Sequence, residues 1–183
     1  MDRNEALNLV KEMVSQDNLI KHMLAVEAIM KKTAQFLGED QEKWDLVGLL
    51  HDVDFGETEN DMKRHALAAE EILKGKVDDE IIRAIKSHNF ENTGVNPETK
   101  LELALVAADA ISGLVIATAL VNPSKKLADV KVKSIKKKFK QKEFARNCNR
   151  EHMLYCEKMG IPKEKFFEIS LTALQKISDE LGL

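Results

Sequence analysis

Apolar residues recur along this chain three and four positions apart, which is the pattern of helices that bury one face. The pattern predicts an all-α protein, a single unit of about eight or nine helices over residues 1–183. We expect its C-terminal third to pack on the first two thirds. The clearest predicted helices lie near residues 6–14, 19–37, 41–50, 60–74, 78–88, 98–120 and 163–181.

Several predicted helix ends carry residues that satisfy free backbone groups. Asp2 and Glu5 have the spacing of a capping box, and Asn18 and Asp40 are candidate N-caps. Gly38 is a candidate stop, because glycine readily adopts the left-handed conformation that ends many helices. These signals predict three helices in succession before residue 51.

The predicted helix from about residue 98 to 120 is apolar on nearly every side, which is typical of a central, buried helix. Asp109 interrupts it near the middle. A buried carboxylate is costly unless it is paired, hydrogen-bonded or bound to a metal. An ion pair is the ordinary explanation, but the nearest basic residue in sequence, Lys100, is too far along the helix to pair with it. Asp109 is therefore a candidate functional residue.

Composition agrees with a folded helical protein. The 183 residues are 44% hydrophobic and 32% charged, with only three Pro and eight Gly, which excludes a disordered chain. We find no signal peptide and no run of 18 apolar residues, so neither export nor a membrane span is expected. Cys148 and Cys156 would lie about 12 Å apart on one helix, too far for a disulfide. A reducing cytoplasm is the expected location.

The net charge of −3 excludes a generally basic nucleic-acid binder but conceals a strongly basic segment. Residues 124–150 contain eleven Lys or Arg and only two acids, Asp129 and Glu143. One interpretation is a solvated helix face with interchangeable lysines. The other is that some of these cations bind substrate phosphate, since the guanidinium fork of arginine suits phosphate oxygens. The candidate substrate-binding residues are Lys137, Lys138, Arg146 and Arg150.

Four of the five histidines lie within residues 22–88, each inside or at the end of a different predicted helix. A single histidine is usually a packing residue, and we interpret His152 that way. The other four are more informative as a set, because His51 and Asp52 stand together where a helix ends. Imidazoles combined with carboxylates suit a six-coordinate Mn, Fe, Co or Mg ion better than a structural zinc.

The order His22, His51-Asp52, His65, His88, Asp109 resembles the HD superfamily of metal-dependent phosphohydrolases. The resemblance covers residues 18–120 and leaves residues 124–183 as a C-terminal helical extension. It implies one or two divalent ions (Mn, Fe, Co, Mg, Ni or Zn). The implied ligands of the first ion are His22, His51, Asp52 and Asp109. A second ion would be held by His65 and His88, and Asp52 would bridge the two ions. In members with one metal, residues near the positions of His65 and His88 contact substrate phosphate instead.

The chain departs from the family in two places. Many members carry Glu or Lys three residues after the HD aspartate, where this chain has Phe55. Asp54 and Glu57 flank that position and are candidate bases, together with Asp52 itself as a catalytic residue. Ser87 precedes His88 where members that cleave cyclic dinucleotides have a second histidine, so that activity is not expected.

The resemblance implies hydrolysis of a phosphate ester, either a nucleotide or another small phosphometabolite, by metal-activated water. The same ligands also occur in HD proteins that use two irons to activate oxygen, and a ligand-sensing protein with a weak site is a further alternative. The expected partner is a small phosphorylated substrate. Neither a membrane nor a nucleic acid is expected, and an oligomer is left open.

Overall fold

A computed structural model describes residues 1–183, and it confirms the all-α class, with no strand. There are thirteen α-helices, more than expected, because several are single turns. The helices are α1 (Arg3–Met13), α2 (Asp17–Leu37), α3 (Gln41–Leu50), α4 (Phe55–Thr58), α5 (Leu67–Leu73), α6 (Asp79–His88), α7 (Phe90–Thr93), α8 (Lys100–Leu120), α9 (Val132–Lys140), α10 (Arg150–Met153), α11 (Tyr155–Lys158), α12 (Lys163–Lys176) and α13 (Ser178–Leu181), with a 3₁₀ turn at Leu127–Asp129.

The helix ends follow the predicted capping chemistry at most positions. Asp2 and Glu5 form the capping box at the start of α1. Asp40 caps α3 by accepting hydrogen bonds from two backbone N–H groups. Gly38 ends α2 with φ +71°, in the left-handed region. Asn18 is not the cap of α2, because the helix begins one residue earlier, at Asp17.

The prediction of a helix over residues 60–74 is wrong for the first half of that range. Residues 60–66 form turns, and only α5 is helical. The Asp54 carboxylate accepts a hydrogen bond from the backbone N–H of Ala66 at 2.7 Å and contacts His65 at 3.1 Å. The φ angle of Ala66 is 69°, on the left-handed side, which a helix does not permit. A long-range contact therefore overrides the local helical pattern.

Helix α8 lies in the centre of the bundle. It begins at a second capping box, formed by Thr99 and Glu102, and most of its side chains are buried. By length and composition alone, this helix is long and apolar enough to cross a membrane. However, 72% of its most apolar stretch is buried by other helices, as the position of a core helix requires.

Close packing between α2 and α3 sets the position of the end of α3. A Cβ atom added at Gly48 would lie 2.7 Å from the backbone Cα of Glu27, so only glycine fits at this contact. Gly48 is three residues before His51, and His22 lies on the facing helix. The contact therefore brings the end of α3 against α2 at the level of His22.

The C-terminal third packs on the first two thirds through α8 and α2. Helices α9, α10 and α11 contact α8, and α12 contacts both α2 and α8. Phe166 and Phe167 are fully buried, and Phe139 of α9 packs against Phe167 with ring centroids 5.2 Å apart. Cys148 and Cys156 do not share a helix, since Cys148 lies in the turns after α9.

Candidate metal centre

Four histidines and two aspartates from different parts of the chain meet in one cluster. Nε2 of His22 lies 3.2 Å from Nε2 of His51 and 3.1 Å from the carboxylate of Asp109. Nε2 of His65 lies 3.0 Å from Nε2 of His88. The six residues come from α2, the end of α3, the turns before α5, the end of α6 and the middle of α8.

Asp52 joins the two histidine pairs. Its Oδ2 atom lies 3.4 Å from Nε2 of His51 and 3.6 Å from Nε2 of His22. Its Oδ1 atom lies 3.3 Å from Nε2 of His65 and 3.4 Å from Nε2 of His88. Each oxygen of the Asp52 carboxylate thus faces one of the two histidine pairs. This is the arrangement expected of an aspartate that bridges two neighbouring cations.

Backbone carbonyls determine the tautomers of two of these histidines. Nδ1 of His51 lies 2.8 Å from the carbonyl oxygen of Gly48, and Nδ1 of His88 lies 2.5 Å from that of Ile85. A carbonyl oxygen can only accept, so the neutral rings carry their protons on Nδ1. Their Nε2 lone pairs therefore point into the cluster.

The other two histidines are oriented by side chains. Nδ1 of His65 lies 3.1 Å from the Asp54 carboxylate, which acts as the acceptor. Nδ1 of His22 lies 3.3 Å from the hydroxyl of Ser112. That hydroxyl donates its own proton to the backbone carbonyl of Asp109, so it accepts from His22. All four histidines thus present Nε2 lone pairs to one another.

These donors fit a divalent cation. Lone pairs about 3 Å apart repel unless a proton or a metal ion lies between them, and neutral imidazoles with carboxylates are common metal ligands. The outer hydrogen bonds that fix the rings are the supports that metal-binding histidines usually have. Two groups of three residues have their donor atoms within 4.8 Å of one another: His22, His51 and Asp52, and Asp52, His65 and His88.

The charges of the cluster make it attract cations. Burial alone lowers the pKa of His51, but the charge of Asp52 and a hydrogen bond to it raise the pKa to about 9. Burial also opposes protonation of His65, and hydrogen bonds to Asp52 and Asp54 raise its pKa to about 9. Burial raises the pKa of Asp52, yet the surrounding histidines hold it well below its usual range. Without a metal, protons therefore take the place of the cations.

A cavity of about 240 Å³ opens beside the cluster. Four other cavities have volumes of about 270–350 Å³, among them one between α2 and α12, and none of these four is lined by a cluster residue. The residues that line the smaller cavity include four from the cluster and no Lys or Arg. They are Asp52, Phe55, Met62, His65, His88, Asn89, Glu91, Asp109 and His152.

The two candidate bases do not reach this cavity. Asp54 is fully buried, and its oxygens are occupied by His65 and by the backbone of Ala66, so it positions His65. Glu57 is exposed and is not among the lining residues. The interpretation of Asp54 and Glu57 as bases is therefore revised, because neither lies where a substrate would bind.

The structure also corrects the interpretation of the basic segment. Arg150 donates to the backbone carbonyls of Phe139, Phe144, Ala145 and Cys148, so its donors hold the turns after α9 together. The structure therefore gives Arg150 a structural role in place of the predicted contact with substrate. Of the other candidates, Lys138 lies over the ring of Phe144, Lys137 and Arg146 are exposed, and none lines the cavity.

Two titratable lining residues were missed by sequence analysis. His152, on α10, faces Glu91, on α7, with Nε2 and Oε1 3.7 Å apart. Both lie at the cavity that contains Asp52 and Asp109. No local signal distinguishes His152 from a packing histidine, because the contact that reveals it joins residues about sixty positions apart along the chain.

An all-α fold with a buried cluster of histidines and aspartates suited to divalent cations defines a class of metal-binding helical proteins. Within that class, the HD domain family model matches residues 19–114, more than half of the chain. The protein belongs to the HD domain family, whose members are typically metal-dependent phosphohydrolases.

Several known proteins are similar to part of this chain. A tRNA (cytidine(56)-2'-O)-methyltransferase of Picrophilus torridus is 30% identical over 111 residues, which are 60% of this chain and 31% of the relative. Ribonuclease Y of Lawsonia intracellularis is 32% identical over 97 residues, and Ribonuclease Y of Nitratidesulfovibrio vulgaris is 36% identical over 100 residues. Each of these two matches is 52% of this chain and 18% of the relative. This chain therefore spans less than a third of the length of these relatives. No solved structure matches the chain.

Proposed function

We propose that this protein is a metal-dependent hydrolase of phosphate esters that works with two divalent ions. The observation that carries the proposal is the position of Asp52, whose two oxygens face separate histidine pairs at 3.3–3.6 Å. The family, typically composed of metal-dependent phosphohydrolases, supports the same reaction class.

Different side chains would hold the two ions. His22, His51 and Asp109 would hold one ion, and His65 and His88 the other, with Asp52 shared between them. When bound, such ions lower the pKa of a coordinated water and neutralise charge on phosphoryl oxygens. Asp54, Ser112 and the carbonyls of Gly48 and Ile85 keep the four rings oriented.

The cavity favours a substrate with a single phosphate group. No Lys or Arg lines it, so beside the ions only the imidazole of His152 could offset charge on a second or third phosphate. Phe55 and Met62 offer apolar surface, and Asn89 and Glu91 offer polar groups, to the rest of the molecule. A nucleoside monophosphate or another small phosphomonoester fits this lining.

A di-iron oxygenase is the second candidate function. It is favoured by the same two histidine pairs about one carboxylate, because iron binds imidazole and carboxylate ligands in this proportion. Oxygen consumption by the iron-loaded protein and a mixed-valence iron signal would distinguish it from a hydrolase.

The test is metal analysis of protein purified without chelator, followed by a phosphate-release screen with Mn, Co, Fe and Mg. The screen contains p-nitrophenyl phosphate, nucleoside monophosphates and triphosphates, and short RNAs, the last because two relatives are named as ribonucleases. We expect release from monophosphates that is lost in Asp52→Ala and kept in Asp79→Asn, an exposed aspartate of α6. Preference for triphosphates or RNA would contradict the substrate class, and no release with any metal would contradict the hydrolase.

A further inference from the structure

Resting on the proposed hydrolase function, we propose that His152, held by Glu91, donates the proton that the leaving oxygen of the substrate needs. This assigns to the C-terminal extension a direct part in the reaction. His152 lies outside residues 19–114, which the family model matches, and enters the site only because α10 packs on α8.

The lining of the cavity restricts the choice of proton donor. Its titratable residues are Asp52, His65, His88, Asp109, Glu91 and His152. The first four belong to the metal centre, where their donor atoms are committed to the ions. Asp54 and Glu57 do not line the cavity. Glu91 and His152 are therefore the groups on the open side that can exchange a proton with a bound substrate.

The local structure holds His152 in place. Asn149 caps α10 by accepting hydrogen bonds from the backbone N–H groups of Glu151 at 2.9 Å and His152 at 3.3 Å. The imidazole packs against Phe90 and Tyr155, with centroid distances of 5.4 and 5.9 Å, and those two rings also contact each other with centroids 6.0 Å apart. Its side chain is only 19% exposed. The ring is thus supported by two aromatic side chains and lies at the cavity.

The charges around the ring suit a proton donor. The Glu91 carboxylate, 3.7 Å from Nε2, is an ion-pair partner for the protonated imidazole. Tyr155 contributes its ring from α11, and the ammonium of Lys158, on the same helical turn, lies 3.6 Å from the centroid of that ring. Across the cavity the ring faces the charged groups of the metal centre: Asp52, His65, His88 and Asp109.

The step balances as an ordinary ester hydrolysis. A water molecule gives up a proton to solvent, and its oxygen forms a new bond to phosphorus while the bond between phosphorus and the ester oxygen breaks. The electron pair of the broken bond stays on the ester oxygen, which takes a proton from the His152 imidazolium. The products are an alcohol and inorganic phosphate, and the neutral imidazole regains a proton from solvent at the mouth of the cavity.

The experiment compares two substrates that differ in their need for a proton. The leaving group of glycerol 2-phosphate is an alkoxide that must be protonated. The leaving group of p-nitrophenyl phosphate is a phenolate that is stable without a proton. In His152→Gln we expect kcat for glycerol 2-phosphate to fall about 100-fold, and kcat for p-nitrophenyl phosphate to change by less than about threefold. The alkaline limb of the pH profile for glycerol 2-phosphate should disappear in the same variant. Glu91→Gln should show the same selectivity with a smaller loss.

Lys142→Ala is the matched control, because Lys142 is exposed on the same extension and does not line the cavity. Metal content and thermal unfolding are measured for each variant. Equal loss on both substrates, or no loss on either, would overturn the role of His152 and leave the hydrolase intact. A wild-type protein that cleaves neither substrate would instead contradict the proposed function itself. If His152→Gln does not fold, His152→Asn is judged by the same substrate ratio.

Discussion

Oδ1 of Asp54 lies 3.1 Å from Nδ1 of His65, and this contact turns the other nitrogen of the ring towards Asp52 and His88. The other oxygen of Asp54 holds the backbone N–H of Ala66 at 2.7 Å. One buried carboxylate therefore shapes the turn before α5 and orients a candidate metal ligand on it. The geometry of the candidate centre thus depends on a residue outside the six candidate ligands.

Asp54→Ala should weaken metal binding at the His65 side of the centre by about 10- to 100-fold, because a supporting hydrogen bond is lost. It should also destabilise the fold by about 1–3 kcal/mol, since the N–H of Ala66 is left buried without a partner. Metal titration and thermal unfolding measure the two effects. Asp61→Ala, an exposed aspartate nearby, is the control. Unchanged metal binding in Asp54→Ala would contradict the positioning role.

The metal-free protein should lose stability as the pH rises. The pKa values of His51 and His65 are about 9 in the fold, against an ordinary value of 6.5. Protonation then favours the folded state, fully below about pH 6.5 and progressively less up to about pH 9, by roughly 3 kcal/mol per histidine. Denaturant unfolding of chelator-treated protein across this range measures the loss.

Metal affinity should change in the opposite direction over the same pH range. An ion must displace the protons on His51 and His65, so binding releases protons and tightens as the pH rises towards about 9. Isothermal titration with Mn²⁺ in buffers of different ionisation enthalpy counts the released protons. Binding without proton release at about pH 7 would show that the histidines are already neutral in the metal-free protein.

Gly48→Ala tests whether the packing of α2 on α3 determines the geometry of the metal centre. Its Cβ would lie 2.7 Å from the Cα of Glu27, so α2 and α3 must separate. Overpacking of this kind costs about 1–3 kcal/mol. His22 and His51 lie on the two separated elements, and metal binding should fall with stability. Gly94→Ala is the control, because its φ of +72° brings backbone strain with no atom within 4 Å of the new Cβ. Equal metal binding in both variants would contradict this account.

Much of the fold could be predicted from the sequence because its signals are local. The capping residues Asp2 and Asp40 lie within three positions of the N–H groups that they satisfy. The all-round apolar pattern of α8 identifies the central helix, since a helix with no polar face has to be buried. Asp109 was singled out by the same reasoning, and the structure brings its carboxylate to His22.

The features that escaped prediction depend on contacts between distant residues. Residues 60–66 have a helical pattern, but Asp54 holds them in turns. Arg150 has the chemistry of a phosphate ligand, yet the carbonyls left free after α9 occupy its donors. His152 becomes informative only when α10 is packed beside α7. In each case the sequence contains both partners, but only the folded structure shows that they are in contact.

Arg150→Ala should destabilise the protein by about 1.5–3 kcal/mol, because several charge-assisted hydrogen bonds to carbonyls are lost. Arg146→Ala, four residues earlier and exposed, should change the unfolding free energy by less than about 0.5 kcal/mol. Urea unfolding of both variants measures the difference. If Arg150→Ala is as stable as the wild type but binds substrate poorly, Arg150 is a substrate ligand after all.

The most direct test of the two-ion centre is anomalous diffraction from crystals of the manganese-loaded protein. The account predicts two peaks, one on each side of the Asp52 carboxylate, about 2.0–2.3 Å from the nearest histidine nitrogens. One peak should contact His22, His51 and Asp109, and the other His65 and His88. A single peak would contradict the two-ion arrangement, and the absence of any peak in contact with Asp52 would contradict the metal centre itself.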